Sequence, residues 1–155
     1  MTAIIRLTER LTSIRRLAFV SRPGPASRSG WAGRARGDVR VEVSTEAPGK
    51  TIRFFESGTF LLEGRSTPVP FSNCYRWEIG DTRIALFHER RGADRAVWLF
   101  DLIAADSASL VSAEAHLCGE DRYRARLELV DEGFDLSWTI QGPRKDESLS
   151  YRYRR

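Results

Sequence analysis

The sequence predicts an all-β fold, a nine- or ten-stranded antiparallel up-and-down barrel with a short N-terminal helix. Three observations carry that expectation. Apolar and polar residues alternate with a period of two in short runs, polar or glycine-bearing breaks separate the runs, and no region is long enough for the repeated crossover helices of a parallel sheet. A chain of 155 residues suits one domain, 1–155. Its 41% apolar content argues against global disorder.

At the start, Leu7, Leu11, Ile14 and Ala18 match helical spacing, while 14–20 also holds good strand formers. We place a helix (or flexible arm) at 3–10 and a strand at 12–20; one helix running through residue 19 is the competing reading. Pro23, Gly24 and Pro25 mark 21–30 as a loop. Val39, Val41 and Val43 then oppose Arg40, Glu42 and Ser44, ahead of the turn at 46–49. Within 73–79, Tyr75, Trp77 and Ile79 share a face, and Gly80-Asp81 leads into 82–88. After the polar stretch 89–95, the run 96–102 puts Trp98, Phe100 and Leu102 together. A strand at 110–118 ends at Gly119-Glu120-Asp121. The clearest run is 122–130, with Tyr123, Ala125, Leu127 and Leu129 on one side and Arg122, Arg124, Arg126 and Glu128 on the other. Asp131-Glu132-Gly133 turns the chain into Phe134, Leu136, Trp138 and Ile140, which predicts a hairpin. Leu149, Tyr151 and Tyr153 repeat the pattern near the end. A closed barrel explains this sequential spacing better than a sandwich, and closure protects sheet edges.

Charge is uneven. Residues 1–40 hold nine Arg against Glu9 and Asp38, in a chain whose net charge is +4. A solvated basic face is the simpler account, and contact with an anionic surface the sharper one. Arg122, Arg124 and Arg126, with Arg152, Arg154 and Arg155, form stripes that would meet phosphate if neighbouring in space. Glu128 interrupts the first stripe and the inward partners look like a protein core, so nucleic-acid binding is the alternative rather than the expectation. No run approaches the roughly 18 apolar residues of a membrane-spanning helix. With only Cys74 and Cys118, and no signal-peptide core, a reduced cytoplasmic setting is expected.

Three segments carry a resemblance: Cys74-Tyr75-Arg76-Trp77, the run from His116 through Tyr123, and Trp138-Thr139-Ile140-Gln141 followed by Gly142-Pro143-Arg144-Lys145-Asp146. Together with Tyr151-Arg152-Tyr153-Arg154 they resemble an uncharacterised family of small calycin-like domains, related in architecture to lipocalins and fatty-acid-binding proteins. The resemblance implies a single closed barrel with an internal pocket. It implies no substrate and no catalytic role. Such a family would carry a tryptophan near the first strand, where this chain has Thr12 or Ser13.

The candidate ligand contacts follow from aromatic and polar residues on the expected strands. Trp77, Trp98, Tyr123 and Trp138 offer flat faces to an apolar body inside a barrel. Arg16, Arg76 or Arg144 would hold a carboxylate through paired hydrogen bonds. His116 and Cys118, two apart, share a strand face and would line a polar pocket; a metal or a Cys–His nucleophilic pair needs a third group that the order does not supply. His88 would serve heme as an axial ligand only as a lone histidine, and zinc needs convergence of distant residues. No catalytic residue, metal ligand or cofactor is assigned. Core packing is the competing reading for each aromatic. The sequence reading is of a binding protein for a small hydrophobic or amphipathic molecule, anionic ones included, with a purely structural or interaction β-domain and an enzyme on the same barrel as further alternatives.

Overall fold

Alternation of side chains across each strand leaves one apolar and one polar face, and a sheet so built hides its apolar face by curling onto itself. The computed structural model describes residues 1–25, 31–46, 49–90, 92–114, 116–118 (backbone only) and 120–155. Helix α1 (Ala3–Leu11) precedes β1 (Arg16–Pro23), β2 (Gly33–Ser44), β3 (Lys50–Leu62), β4 (Val69–Ile79), β5 (Ile84–His88), β6 (Val97–Ala104), β7 (Ser109–Ser112), β8 (His116–Cys118), β9 (Asp121–Val130), β10 (Gly133–Gln141) and β11 (Asp146–Arg154). Sequential neighbours pair antiparallel from β1 through β7, then β9 pairs with β10, β10 with β11, and β11 with β1. Both β7 and β8 pair with β9, at Ser109–Val111 and at His116–Cys118. They therefore share one position, and the described strands form a ten-position closed up-and-down barrel.

The helix begins where Thr2 accepts a hydrogen bond from the Ile5 amide at 3.3 Å. It stops at Thr12, whose hydroxyl bonds the Glu9 carbonyl, while that of Ser13 bonds Arg10. Leu17, Phe19 and Ser21 then alternate inward, which overturns a single helix through residue 19 and moves the first strand from 12–20 to Arg16–Pro23. Ala3, Ile4, Leu7 and Leu11 are buried, and α1 packs on β6, β7 and β10, so the helix plugs one end of the barrel. Arg6 and Arg10 fasten it, donating to the Ser107, Val130 and Gly133 carbonyls.

The β2 and β3 backbones approach closely at two glycines. Gly37 and Gly58 lie opposite each other on β2 and β3. A Cβ on Gly58 would meet the Arg36 carbonyl oxygen at 2.0 Å, so the two backbones approach only because no side chain intervenes. The hairpin expected around 131–133 forms, with Val130 opposite Gly133 and all of β10 in register with β9. The sequence reading does not separate out β3, the longest strand, and begins β2 six residues late. In β3 burial alternates regularly, but Phe55 stands outward beside Phe54 and Glu56 takes an inward place, which breaks the apolar–polar pattern of the sequence. Among the described residues no helix is long and apolar enough to cross a membrane.

Candidate functional site

The inward faces of β3, β4, β10 and β11 supply an aromatic interior. Tyr151 stacks on Phe19 at 4.8 Å and on Trp138 at 5.0 Å, and Tyr153 stacks on Phe134 at 4.8 Å. Next to the helix plug, Trp77, Phe54, Phe100, Phe134 and Tyr153 are fully buried and leave a packed base. At the opposite end the described β5–β6 connection carries a single 3-10 turn, Ala93–Arg95. There Phe60 meets Phe19 at 5.8 Å, and Trp31, itself 61% exposed, tilts against Phe60 at 6.1 Å.

Polar groups are set into this apolar wall. Glu56 is 1% exposed and accepts a 2.6 Å hydrogen bond from the Tyr153 hydroxyl. The hydroxyls of Tyr75 and Tyr151 lie 3.2 Å apart. Burial pushes the Glu56 carboxyl up to about 8, against the smaller opposing effect of hydrogen bonds from Tyr153 and Asn73. Near neutral pH the group is therefore mostly a neutral acid. Among the described residues six buried polar atoms have no hydrogen-bond partner: Glu56 Oε1, Trp77 Nε1 and His88 Nε2 on inward-facing residues, Ser109 Oγ, and Arg76 Nε and Asp135 Oδ1, which lie in ion pairs on the outer wall. His88 stacks on Tyr75 at 4.7 Å, and burial followed by the nearby Arg90 charge lowers its pKa.

The structure sorts the sequence candidates into two sets. Trp77, Tyr123 and Trp138 face the interior and are buried, with half-buried His88 beside Tyr75. Arg16, Arg76 and Trp98 do not face it. Arg16 alternates outward from Leu17 on β1. Arg76 lies on the outer wall, bound to Glu89 at 2.9 Å and over the Phe87 ring. Trp98 leaves the face it would share with Phe100 because the pairing shifts by one residue: Leu86 opposes Phe100, but Phe87 opposes Trp98. The inserted Leu99 turns Trp98 outward, where its indole donates to Asp101 at 2.9 Å. Arg144 is exposed in the β10–β11 turn, closed by a Gly142 amide to Lys145 carbonyl bond. His116 stands opposite Tyr123 and Cys118 opposite Asp121 in backbone register, and their side chains lie outside the described residues.

These rings pack against one another in the interior, and clefts among the described residues open on the outer wall. One, of about 580 Å³, runs past Arg40, Phe55, Cys74 and Glu89. In it, Arg53 and Arg76 hold Glu89, whose pKa they pull down against the opposing effect of burial. Cys74 is the described free thiol, and burial together with the Glu89 charge raises it to about 11, far from a thiolate at neutral pH. Among the described residues no three His, Cys, Asp or Glu side chains gather around a metal position. Glu56 is the residue that sequence reasoning missed; its signal was a lone acid between aromatics and small residues in 54–60.

Comparison with known proteins returns no match among curated proteins or solved structures. The profile of a family of unknown function, DUF6314, matches residues 19–155, which takes in every strand from within β1 to the last, and the chain belongs to that family.

Proposed function

We propose that the barrel binds a small amphipathic molecule, its flat apolar body among the rings and its polar head toward Glu56. The observation that carries this reading is that three inward-facing residues, Glu56, Trp77 and His88, each leave a buried polar atom without a partner in an interior of aromatic and aliphatic side chains. Each such atom costs on the order of 1–3 kcal/mol while unsatisfied, so a ligand that supplies the missing partners gains what the free protein forfeits. A neutral Glu56 carboxyl donates a hydrogen bond and does not repel an anionic head, which favours a carboxylate or a phenol-like group. Entry is from the end away from α1, where Phe71, His88 and Leu149 are only half-buried. The rings that fill the interior must part to admit the ligand, so binding requires rotamer changes at Trp138 or Tyr151. The resemblance to calycin-like domains points the same way.

Native mass spectrometry of gently purified protein tests the reading. A bound mass that disappears on denaturation, and a thermal shift with fatty acids, aromatic carboxylates or heme, is the expected outcome. Repeated absence of bound mass together with no shift from any of these compounds would sink it.

A further inference from the structure

A second site lies on the outer wall, independent of the interior. A cleft of about 590 Å³ crosses β11, β1, β2 and β3 and is lined by Arg16, Ala18, Arg36, Thr59, Arg152 and Arg154. Its construction is a matter of register. Ala18 stands opposite Arg152 on one side and opposite Arg36 on the other, and its outward methyl is too short to fill the space between them. Neighbouring strands are about 4.8 Å apart, so the two arginine backbones lie roughly 10 Å from one another, within reach of a single guest by both side chains. Arg16 adds a third guanidinium one pleat along, opposite Arg154 and Asp38.

Placement, more than pairing, sets these arginines apart. Arg22, Arg34, Arg122 and Arg124 also have no partner among the described residues, but here two unpaired guanidiniums flank Ala18 and a third lines the same cleft. Elsewhere on the wall Arg40 binds Glu42, Arg53 and Arg76 bind Glu89, Arg83 binds Asp101 and Arg126 binds Glu128. Arg154 binds Asp135 at 2.8 Å and the carbonyls of Phe134 and Tyr153. Among the described residues, Arg16, Arg36 and Arg152 have no hydrogen-bond or ion-pair partner, and Asp38, the one carboxylate lining the cleft, pairs with none of them. Three like charges held together by strand register repel one another unless an anion sits between them.

We propose that this cleft binds the phosphoryl groups of a small molecule carrying linked phosphates. A guanidinium donates in a planar fork that matches phosphate oxygens, and it has no acceptor of its own. A carboxylate brings a single charge and too few oxygens for three such forks, whereas a diphosphate supplies both. The concave, small-floored shape suits a compact anion better than the side of a duplex.

The test titrates the full chain with pyrophosphate, inorganic phosphate and sulfate at fixed ionic strength, following backbone amide shifts. Pyrophosphate is expected to saturate at residues 16–18, 36–38, 58–59 and 152–154, binding at least about tenfold more tightly than sulfate. Arg36→Gln and Arg152→Gln should each weaken it about tenfold, since each removes one charge-assisted contact, while Arg122→Gln, outside the cleft, should leave it unchanged. All three positions are on the outer wall, and circular dichroism verifies that the variants fold. Equal affinity for pyrophosphate and sulfate, or indifference to both cleft substitutions, overturns the proposal. So does binding confined to single-stranded RNA or to phosphatidylglycerol vesicles, which would assign the surface to a macromolecular partner or a membrane.

Discussion

A carboxyl group shut among aromatic rings favours its neutral form, because ionisation there forgoes solvation that two or three hydrogen bonds replace only in part. For Glu56 this has a definite pH signature. Between the ordinary value of 4.5 and about 8, the folded protein keeps a proton that the unfolded chain has released. The stabilising effect of the neutral acid is thus whole at low pH and is lost as pH rises through that window, by at most about 1.4 kcal/mol per pH unit. His88 acts in the opposite sense below its ordinary 6.5, since its folded pKa is lowered and the unfolded chain binds the proton more readily. The informative quantity is therefore the difference between wild type and Glu56→Gln in urea denaturation from about pH 5 to about pH 8. Glu56→Gln should gain on the wild type as pH rises; parallel curves would mean that the carboxyl does not titrate as described. A sequence pattern reports which side of a strand is apolar, so it shows Tyr151 and Trp138 well. It passes over an inward acid such as Glu56, whose place depends on Tyr153 approaching from 97 residues away.

Elements that follow strict alternation were legible, and those that depart from it were not. The β9–β10 hairpin and β11 hold to a period of two, and their inward residues are those the pattern names. In β6 the inserted Leu99 takes Trp98 off the face of Phe100, a one-residue event that composition cannot register. At β3, Gly58 answers to the backbone of the neighbouring strand rather than to any local preference. Two substitutions test this level. Gly58→Ala should lower stability by about 1–3 kcal/mol or more, since the added methyl meets a carbonyl oxygen and not a flexible side chain. Gly49→Ala, with its nearest neighbour 3.8 Å away, should change the denaturation midpoint little. In the helix, Leu7→Ala should cost about 2–5 kcal/mol and raise binding of a hydrophobic dye, because Leu7 is fully buried in the plug. A loss under 1 kcal/mol, roughly what surface helix positions give, would show that α1 merely rests on the barrel.

At the scale of the molecule, the barrel divides its chemistry between a ring-lined inside and an arginine-rich outside. Closure was legible because most of the alternating runs follow one another at hairpin spacing; what fills the inside was not, since volume is a sum over all strands at once. Arg16 illustrates the difference: its charge invites a role in ligand binding, but only the register of β1 shows that it faces solvent. The ring itself is completed by β1 against β11, with Arg16 opposite Arg154 and Pro23 opposite Glu147. That seam joins stretches about as far apart in the chain as any two strands here, so its loop-closure cost is paid late and in one step. During synthesis, β1 has no partner on that flank until Arg154 has left the ribosome. A chain without β11 presents two raw borders, β1 and β10, to its neighbours, and the wall closes only once that strand is in place.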